Sequence, residues 1–263
     1  MTFVNPKEGM HPMHEDAMPG LRRLPLFSEM MTQTFDSLMQ IAYAQSFPPR
    51  LQLIRQGDYA DFLHILVEGS VELQASWNGR VSVMGLVQPV STFILAASVC
   101  EAPYLMSAWT LEPSRVVMIP AADVRVMLRR DADFAMAAMR ELANGYRSFV
   151  RQAKNMKLRT AREQLAAYIL RLSQLAGGAD KVVLPVEKRH LALYLGMTPE
   201  NLSRAMRALR DVGVRTDGTH IHITDRARLM TVAVPDRLMD GPDPNGATGD
   251  LPAVSRPAHG AVR

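Results

Sequence analysis

One segment constrains this chain more than any other: between Glu187 and Val214, two short helix-forming runs meet at a glycine. The first run places Leu191, Ala192 and Leu195 on one face and stops at Gly196. Ala192 is small where two helices must cross closely, and Gly196 can take the positive φ that a tight turn needs. Thr198 then suits an N-cap, and Pro199 suits the first helical position, where no amide hydrogen is used. The second run, Glu200 to Arg210, anchors itself with Leu202, Met206 and Leu209 and leaves Glu200, Ser203, Arg204 and Arg207 facing out. Val212-Gly213-Val214, Asp217-Gly218 and Ile221-His222-Ile223 follow, an alternating pattern about a turn that predicts a two-stranded wing. The pattern predicts a winged helix-turn-helix; the plainer alternative is a helical hairpin without a ligand.

A recognition helix sets its N-terminal residues against base edges in the major groove of double-stranded DNA. Thr198, Glu200, Asn201, Ser203, Arg204 and Arg207 are the candidate DNA-binding residues. Arg204 can give two hydrogen bonds to guanine, and Glu200 can accept from a cytosine amino group. The competing role for Glu200 is to stabilise the helix N-terminus through the dipole. Charge is placed to match. Lys188 to Arg228 holds eight Lys/Arg against four Asp/Glu, and Arg151 to Arg171 holds six against one, within a chain of net charge only +4.

Upstream the pattern differs. Ser28 to Tyr43 has helical spacing, with Met31, Phe35, Leu38, Met39 and Ala42. Short apolar runs then recur at Leu51–Ile54, Phe62–Val67, Ser70–Leu73, Val81–Leu86 and Val116–Ile119. They are separated by Gln56-Gly57-Asp58, Glu68-Gly69 and Asn78-Gly79. Many short strands broken by turn residues predict a small antiparallel barrel or sandwich, with Asn78-Gly79 a type I′ hairpin turn. After Pro120 the period lengthens. Met139, Leu142, Tyr146, Phe149, Ala153 and Met156 are spaced alternately by three and four, a narrow seam that can pack on its own domain or on a second copy of the chain. So narrow a stripe on a long helix tilts the reading toward a dimer interface. A helix from Ala161 to Leu175 stops at Gly177-Gly178, and a β stretch from Val182 to Val186 follows.

Taken in order, these pieces resemble the CRP/FNR superfamily of bacterial regulators over roughly Leu26 to Leu229. The resemblance rests on Gln56-Gly57-Asp58, on the run Phe62 to Val71 and on Pro199-Glu200-Asn201-Leu202-Ser203-Arg204. It implies an α+β protein with a cyclic-nucleotide-binding-like β-roll, a long dimerisation helix and a C-terminal winged helix-turn-helix. The chain then divides into a flexible arm (1–22), the β-roll effector domain (23–130), the dimerisation helix (131–158), the DNA-binding domain (159–232) and a disordered tail (233–263). The resemblance also implies a homodimer that works with RNA polymerase, as an activator. The Glu-x-x-Ser-Arg arrangement resembles the FNR branch, which implies TTGAT-like half-sites read by Glu200, Ser203 and Arg204. An effector-binding module that acts on a protein partner is the alternative.

The departures from the family matter as much. Its nucleotide-binding members carry Phe-x-Gly-Glu followed by Arg-Ser or Arg-Thr; here the aligned residues are Phe93-Ile94-Leu95-Ala96 and Met106-Ser107. The ribose carboxylate and the phosphate-pairing arginine are both gone, and a buried phosphate without a counter-cation costs several kcal/mol. No cyclic nucleotide is therefore expected. In its place an apolar effector pocket is expected around Phe93, Leu95, Ala96, Leu105, Met106 and Ser107. That resembles the nitric-oxide-responsive DNR/NnrR branch and makes haem the cofactor to consider, with His11, His14 and His64 as axial candidates. For His64, in a strand run, the competing role is a hydrogen-bonded structural histidine. The single Cys100 excludes an intrachain disulfide, an iron–sulfur cluster within one chain and a cysteine-only metal site. No paired-carboxylate, nucleophile–base or phosphate-loop motif suggests an enzyme. With no apolar run near the ~20 residues that span a bilayer and no signal-peptide pattern, a cytoplasmic protein without a membrane partner is expected.

Overall fold

The computed structural model describes residues 11–12, 18–184 and 187–241. They fall into two compact units, 1–147 and 148–263. His14, Val186 and residues 242–263, named in the sequence reading, lie outside the described residues.

The first unit opens with β1 (His11–Pro12) and helices α1 (Met18–Arg22), α2 (Pro25–Ser28) and α3 (Thr32–Gln40). Strands β2 (Tyr43–Phe47), β3 (Gln52–Ile54), β4 (Phe62–Glu68), β5 (Val71–Trp77), β6 (Arg80–Val87) and β7 (Ser91–Phe93) follow. Helix α4 (Leu95–Cys100) precedes β8 (Ser107–Thr110) and β9 (Ser114–Pro120). The strands form one sheet in the order β1-β2-β9-β4-β7 and another in the order β3-β8-β5-β6. Asn78 and Gly79, both at positive φ, make the β5–β6 hairpin turn as expected.

The two central strands of the larger sheet serve two cores at once, because successive side chains in a strand point to opposite faces. Leu66 of β4 and Val116 and Met118 of β9 enter an inner core between the sheets, with Phe93, Ala108 and Val71. Leu63 and Ile65, with Val117 and Ile119, face the other way and join Phe27, Phe35 and Leu38 of the helices. Burial on both faces explains why these strands read as nearly unbroken apolar runs.

Helix α5 (Ala121–Arg130) is followed by the 27-residue α6 (Ala132–Leu158). Asp131 separates them. Its carboxylate is buried and accepts hydrogen bonds from the Phe134 amide (3.0 Å), capping α6, and from the Met31 amide (3.0 Å).

The second unit contains α7 (Ala161–Leu175), β10 (Lys181–Val183), α8 (Lys188–Tyr194), α9 (Pro199–Ala208), β11 (Val214–Asp217), β12 (His220–Ile223), α10 (Arg226–Ala233) and α11 (Arg237–Asp240). Thr160 and Glu163 form a reciprocal capping box at the start of α7. The strand order β10-β12-β11 adds a third strand to the expected wing. Leu165, Ile169, Leu191, Leu202, Met206, Val214, Ile221 and Leu229 share one core.

Two segments differ from the sequence reading. Residues 18–22, assigned to a flexible arm, are helical: Leu21 is fully buried, and the Arg22 guanidinium donates to the Phe27 carbonyl (2.8 Å) while lying 5.0 Å from the Phe35 ring centre. Residues 233–241, assigned to a disordered tail, end α10 and form α11, held by ion pairing that composition could not reveal.

Candidate nucleic-acid interface

The turn before α9 is built as its residues require. Gly196 has φ +67°, and a Cβ there would lie 3.0 Å from the Met156 sulfur at the end of α6. Glycine is therefore needed twice over, for backbone conformation and for close approach. The Thr198 hydroxyl accepts from the Asn201 amide at 3.2 Å, and Pro199 takes the first turn. Leu202, Ala205, Met206 and Leu209 are buried beneath α9. Glu200, Asn201, Ser203, Arg204 and Arg207 are all exposed on its other side, the condition on which the DNA-reading interpretation depended. The Arg204 guanidinium is steadied by the Asn201 side-chain oxygen at 2.8 Å. Glu200's own backbone amide and the Thr198 hydroxyl hold its carboxyl below the ordinary range, so it stays an acceptor at neutral pH. Asn201 thus holds Arg204, a link that motif spacing does not show.

On α6, Met139, Tyr146, Phe149 and Met156 are exposed, at 54, 70, 58 and 44%. Ala153 is half-buried, and Leu142 packs partly against the core of its own unit. Met136 and Val150, which do not continue the three–four alternation, are also exposed and widen the apolar stripe. Glu141, placed outside the seam by that spacing, turns inward. It accepts a hydrogen bond from the Thr92 hydroxyl on β7, and burial pushes its carboxyl up to about 7.

The expected effector pocket is not assembled as expected. Phe93 lies in the inner core, but Leu95 lies in the core on the helix side of the sheet. Ile94, in left-handed backbone (φ 58°), reverses the chain between them. Ala96 is exposed, Leu105 is 80% exposed, and Met106 is half-buried. Ser107 is occupied elsewhere, accepting from the Gln56 amide at 3.0 Å and the Gln52 side chain at 3.3 Å. An open cleft of ≈ 290 Å³ lies away from these residues, between Tyr59, Asp61, Glu101 and Arg125. With Ala96 and Met106 in place of the family's carboxylate and guanidinium, the donor set does not fit a cyclic nucleotide.

His64 on β4 faces the inner core. Its ring lies 5.3 Å from that of Phe93, 6.3 Å from Tyr104 and 6.4 Å from Phe62. Burial pulls its pKa down to about 4, a neighbouring Phe62 carbonyl opposing the shift. Nδ1 has no hydrogen-bond partner among the described residues, so the hydrogen-bonded structural role does not describe it fully. Among the described residues no group of three or more His, Cys, Asp or Glu could hold a metal ion. No described helix is long and apolar enough to cross a membrane.

Comparison with known proteins agrees with this geometry. Residues 44–131 match the cyclic nucleotide-binding domain family, and residues 163–232 match the Crp-like helix-turn-helix domain. Over 212 residues the chain is 30% identical to the transcriptional activator protein FnrL of Cereibacter sphaeroides, covering 76% of this chain and 84% of FnrL. The chain belongs to the CRP/FNR family of transcription regulators. It is 21% identical over 184 residues to the cAMP-activated global transcriptional regulator CRP of Pasteurella multocida, covering 68% of this chain and 88% of that protein. Among solved structures, FixK2 of Bradyrhizobium japonicum shares the fold with a TM-score of 0.62 at 20% identity, over 74% of this chain and 99% of FixK2. As a CRP/FNR regulator the protein binds DNA through its helix-turn-helix and is not an enzyme. The expected architecture of β-roll, long helix and winged helix-turn-helix is the one found.

Proposed function

We propose that this CRP/FNR regulator binds an FNR-like palindrome of TTGAT half-sites as a homodimer, with Glu200, Ser203 and Arg204 reading bases. Thr198, Asn201 and Arg207 position the helix against the backbone. The observation that carries the reading is the outward face of α9, on which Arg204 is pre-oriented by Asn201. Exposed Met139, Tyr146 and Phe149 support pairing of two copies through α6, since a monomer rarely leaves so much contiguous apolar surface in water. RNA polymerase is the partner through which the bound dimer activates transcription. A gel shift with a TTGAT-N4-ATCAA duplex against random DNA tests the assignment. Arg204→Ala is expected to weaken specific binding by ~1–3 kcal/mol and leave random-sequence binding nearly unchanged. Equal loss on both duplexes sinks the base-reading role.

For the effector, the reading is a regulator that does not respond to cyclic nucleotides. A haem-based nitric-oxide response through His64 is the second reading, favoured by the unpartnered Nδ1. The rings of Phe62, Phe93 and Tyr104 would have to part to admit a porphyrin. Reconstitution with haemin decides it: a Soret band lost in His64→Leu supports the ligand role, and no band removes it.

A further inference from the structure

Only Arg159 and Thr160 separate the end of α6 from the start of α7. The Arg159 side chain is 6% exposed, a position no guanidinium occupies without partners. Both of its prongs are taken by Asp240 of α11, at 2.7 and 2.5 Å. It also donates to the Asn155 side chain, one turn back in α6 (3.1 Å), and to the Val234 carbonyl after α10 (3.3 Å). Its own carbonyl accepts from the Gln164 side chain in α7 at 3.1 Å. One residue therefore ties together α6, α7 and the C-terminal turn.

The turn is made to receive it. Val234, a β-branched residue, adopts left-handed backbone (φ 41°) to bring the chain back, a conformation such residues avoid. The Asp236 carboxylate caps α11 through the Leu238 and Met239 amides (2.9 Å each), and Asp240 accepts from the Asp236 amide (2.8 Å). Arg159, Asp236 and Asp240 all lie outside residues 163–232, the stretch that matches the helix-turn-helix family model. Next to it, Met156 lies against Gly196 in the turn that precedes α9. The end of α6 and the turn before the DNA-reading helix therefore share a close contact.

We infer that the Arg159–Asp240 clasp makes the C-terminal turn a clamp that fixes the α6–α7 corner and so positions α9 for its half-site. Arg159 and Asp240 are positioning residues, remote from the reading face. The inference rests on the palindrome reading above, because a fixed corner matters most when two helices must meet half-sites at one spacing.

The test uses full-length protein with Asp240→Asn, and Asp236→Ala as a milder way to fray α11 should the first variant unfold. Hydrogen exchange across residues 157–161 is expected to speed up about tenfold or more, with α9 protection unchanged. Gel shifts on palindromes with spacers of N3, N4, N5 and N6 are expected to show wild-type preference for one spacing. In the variant that preference shrinks about threefold or more while affinity for a single half-site is kept. Asp240→Glu should restore part of it. Unchanged corner exchange overturns the clamp, and so does faster exchange with spacer preference intact. Should wild type fail to select a palindrome at all, the operator reading falls and the exchange result alone decides the clamp.

Discussion

A buried histidine and a half-buried glutamate in the first unit pull stability in opposite directions over one pH interval, and separating them tests the packing described for both. His64 falls from its ordinary 6.5 to about 4 on folding, so the native state refuses a proton that the unfolded chain accepts. Its contribution is present above pH 6.5 and is lost as pH falls toward 4; at about 1.4 kcal/mol per pKa unit, the loss between pH 7 and pH 5 is about 2 kcal/mol. Glu141 rises from 4.5 to about 7, so the native state takes the proton first. Its contribution is present below pH 4.5 and fades as pH rises through 7, a gain of about 2 kcal/mol on going from pH 7 to pH 5. In wild type the two nearly cancel. His64→Leu is therefore expected to leave a protein that gains about 2 kcal/mol, relative to wild type, between pH 7 and pH 5. Glu141→Gln, which preserves the contact with Thr92, is expected to lose about the same amount. Urea unfolding followed by tryptophan fluorescence reads the correct unit, because Trp77 and Trp109, the protein's two tryptophans, both lie in it. Variant curves parallel to wild type within about 0.5 kcal/mol would refute the burial argument for both groups.

Three further outcomes follow from particular contacts. Tyr146→Glu with Phe149→Glu places two charges on the exposed stripe of α6 and is expected to yield monomers in sedimentation velocity at micromolar concentration; a dimer that persists would relocate the interface. Gly69→Ala would set a Cβ 2.4 Å from the Ser114 hydroxyl and 2.5 Å from the Pro113 carbonyl, at φ +88°; a thermal melt should show a loss on the order of 3 kcal/mol, and a loss under about 1 kcal/mol would contradict the close approach. Cyclic AMP in excess is expected to leave the melting temperature unchanged, whereas a ligand present at 100 times its Kd would add about 2.7 kcal/mol, an easily measured rise.

The DNA-reading half was legible because its determinants are local. Gly196, Thr198 and Pro199 specify one turn within four residues, and the period of Leu202, Met206 and Leu209 decides which side of α9 is buried. The long helix was legible in its period but not in its surroundings. The spacing that picked out Met139 and Tyr146 also picked out Leu142, which packs on its own unit, and it left Glu141 outside, where β7 covers it. Periodicity tells which residues share a helix face; what covers that face comes from strands fifty residues away. Short strands failed for a related reason. β7 and β8 have three and four residues, too few for an alternating pattern, and they exist because β4 and β5 offer them edges. α11 has a local cap in Asp236, but it was not legible because the partner of Asp240 is Arg159, 81 residues earlier.

The effector half shows why an alignment of missing residues locates a loss better than its replacement. Leu95, Ala96 and Met106 show that the carboxylate and guanidinium of a nucleotide site are gone, and that much follows from residue identity. Where the new side chains point does not. Left-handed Ile94 sends Phe93 and Leu95 into different cores, and Leu95, 5% exposed, joins the one that holds Phe134, Ala137 and Ala138 of α6. The position at which nucleotide-binding relatives have glycine has become a structural anchor of α4. Truncating a buried leucine typically costs 2–5 kcal/mol, about the size of a domain's whole margin of stability at its lower end. Restoring the glycine alone would therefore open a hole in the helix-side core before it made room for a phosphate. Leu95 thus packs α4 against the helix-side core, while the missing charges of the nucleotide site are lost at Ala96 and Met106.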